Sequence, residues 1–140
     1  MTPKGPIDDH EQRVHPQAQT NFLHSFAHAL HGVLHVIKHE KNARIHLGFA
    51  IVAFGSGEWL GVSNAELAAV FFAVVIVFLA EMFNTAIERT LDLIDVRDNP
   101  RIKLIKDMSA GAVLIAAVAA VMVGIVVYVP YVLRWLWASS

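Results

Sequence analysis

The chain has no cysteine among its 140 residues, which removes disulfides, thiolate nucleophiles and cysteine-ligated zinc together. Charge is also scarce. Asp, Glu, Lys and Arg make up 16% of the chain, where a soluble domain carries about 25%. Familiar phosphate-binding loops are missing as well: there is no G-x-x-x-x-G-K-S/T, no kinase glycine loop, and no H-R-D or D-F-G. Any nucleotide site must therefore be unconventional. Charge is scarcest where the chain is most apolar. Residues 108–133 carry none over 26 positions, and residues 67–83 carry only Glu81. Such runs in so short a chain mark membrane spans, which take about 20 residues each. A soluble globular protein, a secreted disulfide scaffold and a nucleic-acid binder are excluded as leading readings.

What is present reads as all-α. Residues 1–21 hold Pro3, Pro6, Pro16 and mixed charges without an apolar run, the composition of a disordered tail and not of a signal peptide. From Phe22, at about 100° per residue, Phe22, Phe26, Leu30, Val33, Leu34 and Ile37 share one side of a helix. His24, His28, His31, His35 and His39 share the other. An amphipathic helix over about 22–41, lying flat in the membrane interface, is expected. Three spans follow, over about 45–60, 65–85 and 108–133, so that 22–137 form one integral membrane domain. The first span is the weakest, interrupted by Gly48, Gly55 and Gly57 and closed by Glu58 and Trp59. Ser63-Asn64-Ala65-Glu66 has the S-x-x-E form of a capping box and opens the next helix, which is expected to continue towards Asp95. Asp98-Asn99-Pro100 is turn chemistry, and the last span is expected to begin near Asp107. Tyr128, Tyr131, Trp135 and Trp137 supply an aromatic belt at its far end.

Five Lys or Arg lie in residues 1–46 and five in residues 89–106, with none between the first two spans and only Arg134 beyond the third. By the positive-inside rule the N-terminus and an 89–106 loop are cytoplasmic in a multi-pass protein. Ala112, Ala116, Ala120 and Gly124 place a small residue at every fourth position; the strip either lets helices approach closely or simply fills an apolar span. Three thin spans shield buried carboxylates poorly, so a homo-oligomer is expected.

Those carboxylates are the main chemical signal. Glu81, Asn84, Glu88, Asp92 and Asp95, spaced 3, 4, 4 and 3, fall within roughly 80° on one helix face. A charged residue at mid-span costs about 2.5–3.5 kcal/mol by insertion scales. Glu81 is thus either a functional acid or one that snorkels to a cationic neighbour, and Asp92 and Asp95 either extend the site or solvate a helix end. Carboxylates from different helices make a hard-oxygen site suited to Mg2+ arriving with substrate phosphates. A further carboxylate could act as general base, and basic residues of 89–106 could receive phosphate oxygens. These parts fit phosphoryl transfer at a membrane surface.

Three segments carry a resemblance. Glu81-Met82-Phe83-Asn84-Thr85-Ala86-Ile87-Glu88 with Asp92 resembles the E-x-x-N-T-A-I-E-x-x-x-D signature of the prokaryotic diacylglycerol kinase and undecaprenol kinase family. Lys106-Asp107-Met108-Ser109-Ala110-Gly111-Ala112-Val113-Leu114 resembles its K-D-x-x-A-G-A-V-L opening of the last helix, and His39-Glu40-Lys41-Asn42-Ala43-Arg44-Ile45-His46 its H-E-x-N-x-R-I-H segment. The resemblance covers residues 21–133 and implies a small homotrimeric kinase of the bacterial inner membrane, with ATP as donor, Mg2+ as cofactor and a lipid alcohol as acceptor. It implies roles residue by residue. Glu81 would be the base that takes the lipid hydroxyl's proton, and Asn84 would orient the reacting groups. Glu88 and Glu40 would hold Mg2+ on the ATP phosphates. Lys106 and Asp107 would belong to the nucleotide site, as would Arg97, Asp98 and Asn99, with His28 a further contact. Trp59, Arg44 and the surface over 29–37 would lie along the lipid. The A-G-A-V-L and R-I-H segments look more like the undecaprenol branch and Met108 like the diacylglycerol branch, which slightly favours undecaprenol. Asp98-Asn99-Pro100, Asn21 and Ala43 depart from patterns common in the family.

The histidines at 24, 28, 31, 35, 39 and 46 lie within roughly 80° if one helix runs through them. They are either ligands for a transition ion, as His-x3-His spacing allows, or the polar face of an interfacial helix. From the first reading follows a rival function, a metal-ion transporter using the histidines and the acidic file. A transporter would place ionisable groups in several spans near mid-membrane; here they gather at one edge.

Overall fold

The computed structural model describes residues 22–94 and 99–138, and within them every element is helical: α1 Phe22–His39, α2 Lys41–Leu60, α3 Asn64–Ile94 and α4 Pro100–Ala138. The expected tail over 1–21, and the acid at Asp95, lie outside the described residues. At 1.5 Å per residue, α3 and α4 extend about 46 and 58 Å, more than a bilayer's hydrocarbon core of about 30 Å.

Each helix end has a local cause. Glu40 sits in extended conformation (φ −96°, ψ 122°) as the N-cap of α2, separating α1 from α2. Continuing one helix from His24 to His46 is therefore incorrect: His46 belongs to α2, and only His24 to His39 form one stripe. α2 ends at Gly61, whose φ of 69° is the left-handed conformation glycine adopts without a Cβ penalty. The amides of Gly61 and Val62 donate to the carbonyls of Glu58 and Gly57 at 3.2 and 2.9 Å, the paired pattern of a Schellman cap. The capping box is present. Ser63 N–H donates to Glu66 Oε2 at 3.1 Å and Glu66 N–H to Ser63 Oγ at 3.4 Å. Pro100 opens α4, where its missing N–H costs nothing. The last helix thus starts before the span expected from near Asp107, and the loop over 89–106 is corrected. Residues up to Ile94 complete α3, and Arg101 to Asp107 form the first turns of α4.

α3 and α4 pack side by side as the main contact, α2 lies against both, and α1 touches α2 and α3. The buried cluster is small, Val62, Val70 and Val127, with Phe54, Leu67, Tyr128 and Tyr131 around it. Gly57 marks the closest approach of α2: a Cβ there would fall 2.6 Å from Leu67 Cδ2 and 2.9 Å from the Tyr128 hydroxyl. That hydroxyl donates to Ala53 O at 2.6 Å. Among the described residues α3 and α4 are the helices long and apolar enough to cross a membrane, and only 17% and 11% of their most apolar windows are buried within the chain. Their side chains point outward instead of into a core, as expected of helices solvated by lipid or by other helices.

Candidate functional site

The polar exception to this exterior lies on α3. Glu81 is 2% exposed, and Asn84 and Thr85 are buried near it. Burial then fades along the file, from half-buried Glu88 to exposed Asp92. Asn84 is held from two sides. Its Oδ1 accepts from Ser109 Oγ on α4 at 2.6 Å, and its Nδ2 donates to Glu88 Oε1 at 3.3 Å. Ser109 Oγ also lies 2.9 Å from Lys106 O. Glu81 Oε2, in contrast, has no hydrogen-bond partner among the described residues. The titratable groups within electrostatic reach of Glu81 are His46, Glu40 and Glu88. A buried carboxylate oxygen left unpaired is costly, and such groups mark sites where a partner arrives from outside the fold.

Glu81 lines a cleft of about 300 Å3 with Asn42, His46, Asn84 and, across it, Ala110, Val113 and Ala117. His46 and Ala117 also border a second cleft of about 390 Å3, walled by Ala50, Ala53, Val74, Val77, Ala120, Gly124 and Tyr128. The two adjoin. An apolar groove between α2, α3 and α4 thus meets a carboxylate at one end.

The other expected site residues fall in three places. Glu40, at the α1–α2 junction, accepts from Arg89 Nη2 of α3 at 3.1 Å, which brings it to the Glu88 level. Lys106 Nζ lies 2.6 Å from Asp92 Oδ1, pairing the start of α4 with the end of α3. Asp107 is exposed on the next position, and Asn99 Oδ1 accepts from Arg101 N–H at 3.0 Å just before α4. Arg97 and Asp98 lie outside the described residues. His28 is exposed on α1 and Arg44 donates to Lys38 O at 3.0 Å. Trp59 stands at the opposite end of α2, its ring 5.5 Å from Trp135, and is not brought to the carboxylates. Sequence reasoning missed Ser109, Asn42 and His46 as parts of this neighbourhood, and took Arg89 only as one of the basic residues of 89–106 open to phosphate, not as the partner of Glu40. Ser109 and Asn42 carried a signal, as polar residues inside the quoted motifs; the Arg89 pairing carried none beyond its place beside Glu88.

Glu88 and Glu40 offer hard carboxylate oxygens suited to Mg2+. Among the described residues no three His, Asp or Glu converge as a cage, so an ion there would have to take its remaining ligands from water and substrate phosphates.

An all-helical chain with two membrane-length helices and a buried acid facing an apolar groove defines a membrane protein with a polar site at the end of a hydrocarbon-lined cleft. Comparison with known proteins names its kind. The model of the family described as prokaryotic diacylglycerol kinase matches residues 27–128. The chain is 32% identical over 120 residues to the undecaprenol kinase of Bacillus subtilis, covering 86% of this chain and 98% of that one. It is 34% identical over 109 residues to a diacylglycerol kinase of Synechocystis sp., covering 77% of this chain and 62% of that protein. The chain belongs to the prokaryotic diacylglycerol kinase family, and is a lipid kinase, a phosphotransferase with an alcohol group as acceptor.

Proposed function

We propose that this lipid kinase transfers the γ-phosphoryl group of ATP to the hydroxyl of a membrane lipid, with Glu81 as the base and undecaprenol slightly preferred over diacylglycerol. The observation that carries the reading is the unpaired, buried oxygen of Glu81 at the end of an apolar groove. A lipid alcohol laid in that groove brings its hydroxyl to the carboxylate and leaves its hydrocarbon against Val74, Val77 and Ala120. The Glu81 carboxylate takes the hydroxyl proton as the oxygen attacks the γ-phosphorus, and ADP leaves. Asn84, clamped between Ser109 and Glu88, keeps its carboxamide oriented beside the reacting groups. Mg2+, held by Glu88 and Glu40, would neutralise phosphate charge. Lys106, once shared between Asp92 and a phosphate, contributes positive charge, with Asp107, Asn99, Arg97, Asp98 and His28 around the nucleotide. Arg44 and Trp59 face the lipid. The named undecaprenol kinase relative supports an acceptor with an isoprenoid chain.

The same reading places α1 flat in the interface, uses α2 as a third span beside α3 and α4, and assembles three copies in the bacterial inner membrane with the Glu81–Glu88 end cytoplasmic. Exposed Phe22, Phe26, Leu30 and Leu34 along α1 support the interfacial placement. No observation favours the transporter alternative.

The test is phosphorylation in mixed micelles with labelled ATP, Mg2+ and a panel of lipid alcohols. Label is expected in the lipid fraction, most in undecaprenol. Glu81→Gln is expected to lose activity by about 10²–10⁴-fold, the range for general-base catalysis, while still binding ATP. Full activity in that variant removes Glu81 as the base, and unlabelled lipid with every acceptor removes the donor–acceptor pair proposed here.

A further inference from the structure

Of the five imidazoles on α1, only His28 enters the phosphotransfer reading. They nevertheless form an ordered array. His24 and His28 have ring centroids 6.1 Å apart, His31 and His35 6.4 Å, and His35 and His39 4.2 Å. His35 is half-buried and the other four are exposed. The Nδ1 of His39 donates to the His35 carbonyl at 2.9 Å, which leaves its Nε2 as the nitrogen with a free lone pair.

Two imidazoles sharing one ion at a metal–nitrogen distance of about 2.0–2.1 Å have ring centroids roughly 5 Å apart at a near-tetrahedral angle. Each of the three pairs lies within about 1.5 Å of that spacing, a difference that side-chain rotation can close. We propose that the imidazole face of α1 is a transition-metal site, binding Zn2+, Ni2+ or Cu2+ through i, i+4 histidine pairs: one ion on His24 and His28, another on His35 with His31 or His39.

Ligand chemistry selects that class of ion, since neutral imidazole suits zinc, nickel and copper, whereas Mg2+ and Ca2+ take oxygen. Among the described residues no third His, Asp or Glu converges on any pair. Each ion therefore has two protein ligands and completes its shell with water, which makes the site open and exchangeable instead of structural. Burial, and then the neighbouring His39, hold the His35 imidazole below the usual histidine range. The site is distinct in ligand type from the hard-oxygen pair Glu40 and Glu88, and shares with the lipid kinase reading only His28.

Zn2+ titration of the full-length protein in detergent micelles, purified without a histidine tag and without ATP, tests this by calorimetry. Micromolar binding of about two ions per chain is expected. The variant His24→Ala/His31→Ala/His35→Ala retains no i, i+4 histidine pair, and is expected to bind at least about tenfold more weakly. Alanine favours helix, so far-UV circular dichroism should report unchanged helicity. Wild-type binding no tighter than millimolar overturns the proposal, as does undiminished micromolar binding in the folded triple variant. A second readout does not depend on the variant. Cu2+ added to the wild-type protein should show an electron paramagnetic resonance spectrum with two nitrogen ligands, and an all-oxygen spectrum contradicts the site.

Discussion

Glu81 and Ser109 show how differently a polar side chain can be buried in this chain. The one hydroxyl proton of Ser109 lies within reach of Asn84 Oδ1 at 2.6 Å and Lys106 O at 2.9 Å, whereas Glu81 Oε2 has no partner among the described residues. The first is a brace and the second an open valence. A net hydrogen bond is worth about 0.5–1.5 kcal/mol, so Ser109→Ala frees the Asn84 carboxamide without unfolding the chain. Its expected outcome is a kcat lowered by about tenfold, equivalent to roughly 1.4 kcal/mol, with little change in the KM for ATP. Steady-state lipid phosphorylation measures both. Activity unchanged within twofold would mean that Asn84 keeps its orientation through Glu88 alone. The spacing of Glu81, Asn84 and Glu88 was legible because helical period puts them on one face. The brace was not, because Ser109 is 25 residues away and belongs to another helix.

At the scale of elements, helix ends and close approaches carry the local specificity. The α2–α3 turn is tied by the capping box and by Tyr131, whose hydroxyl donates to Glu66 Oε2 at 2.6 Å. Replacing Ser63 with Ala removes the side-chain half of that box, and is expected to lower stability by about 1 kcal/mol, read as a lower midpoint in thermal denaturation followed by helical circular dichroism. Gly57 makes a stronger demand. Leu67 Cδ2 can swing away from an added Cβ, but the Tyr128 hydroxyl is held by Ala53 O. Gly57→Ala must therefore displace Tyr128 and separate α2 from α4, at an expected cost of about 1–3 kcal/mol in the same measurement. A midpoint equal to wild type would show that α2 moves freely against its neighbours. The capping box could be read from four residues in a row. The role of Gly57 could not: in sequence it looked like an interruption of the weakest span, while in the fold it is where two helices meet.

For the whole molecule, the outward-facing apolar surface of α3 and α4 is the dominant property, and it makes lipid or neighbouring copies the expected surroundings. The proposed orientation can be tested on a clean background, since the chain has no cysteine of its own. Asn64→Cys, at the turn between α2 and α3, is expected to react with a membrane-impermeant maleimide added to intact cells stripped of the outer wall. Lys103→Cys, at the start of α4, is expected to react only after lysis. The reverse pattern would invert the topology and move the Glu81–Glu88 end to the outside. Composition and periodicity alone were enough to indicate an all-helical membrane chain and its acidic file, and three short segments were enough to carry the family resemblance, because those properties are written in neighbouring residues. Only the tertiary structure decided that Lys106 pairs with Asp92 across 14 residues and Tyr128 with Ala53 across 75, and that the unpaired oxygen of Glu81 meets an apolar groove. Those outcomes depend on how one helix is rotated and shifted against another, and that register is set by packing between faces, which no local pattern encodes.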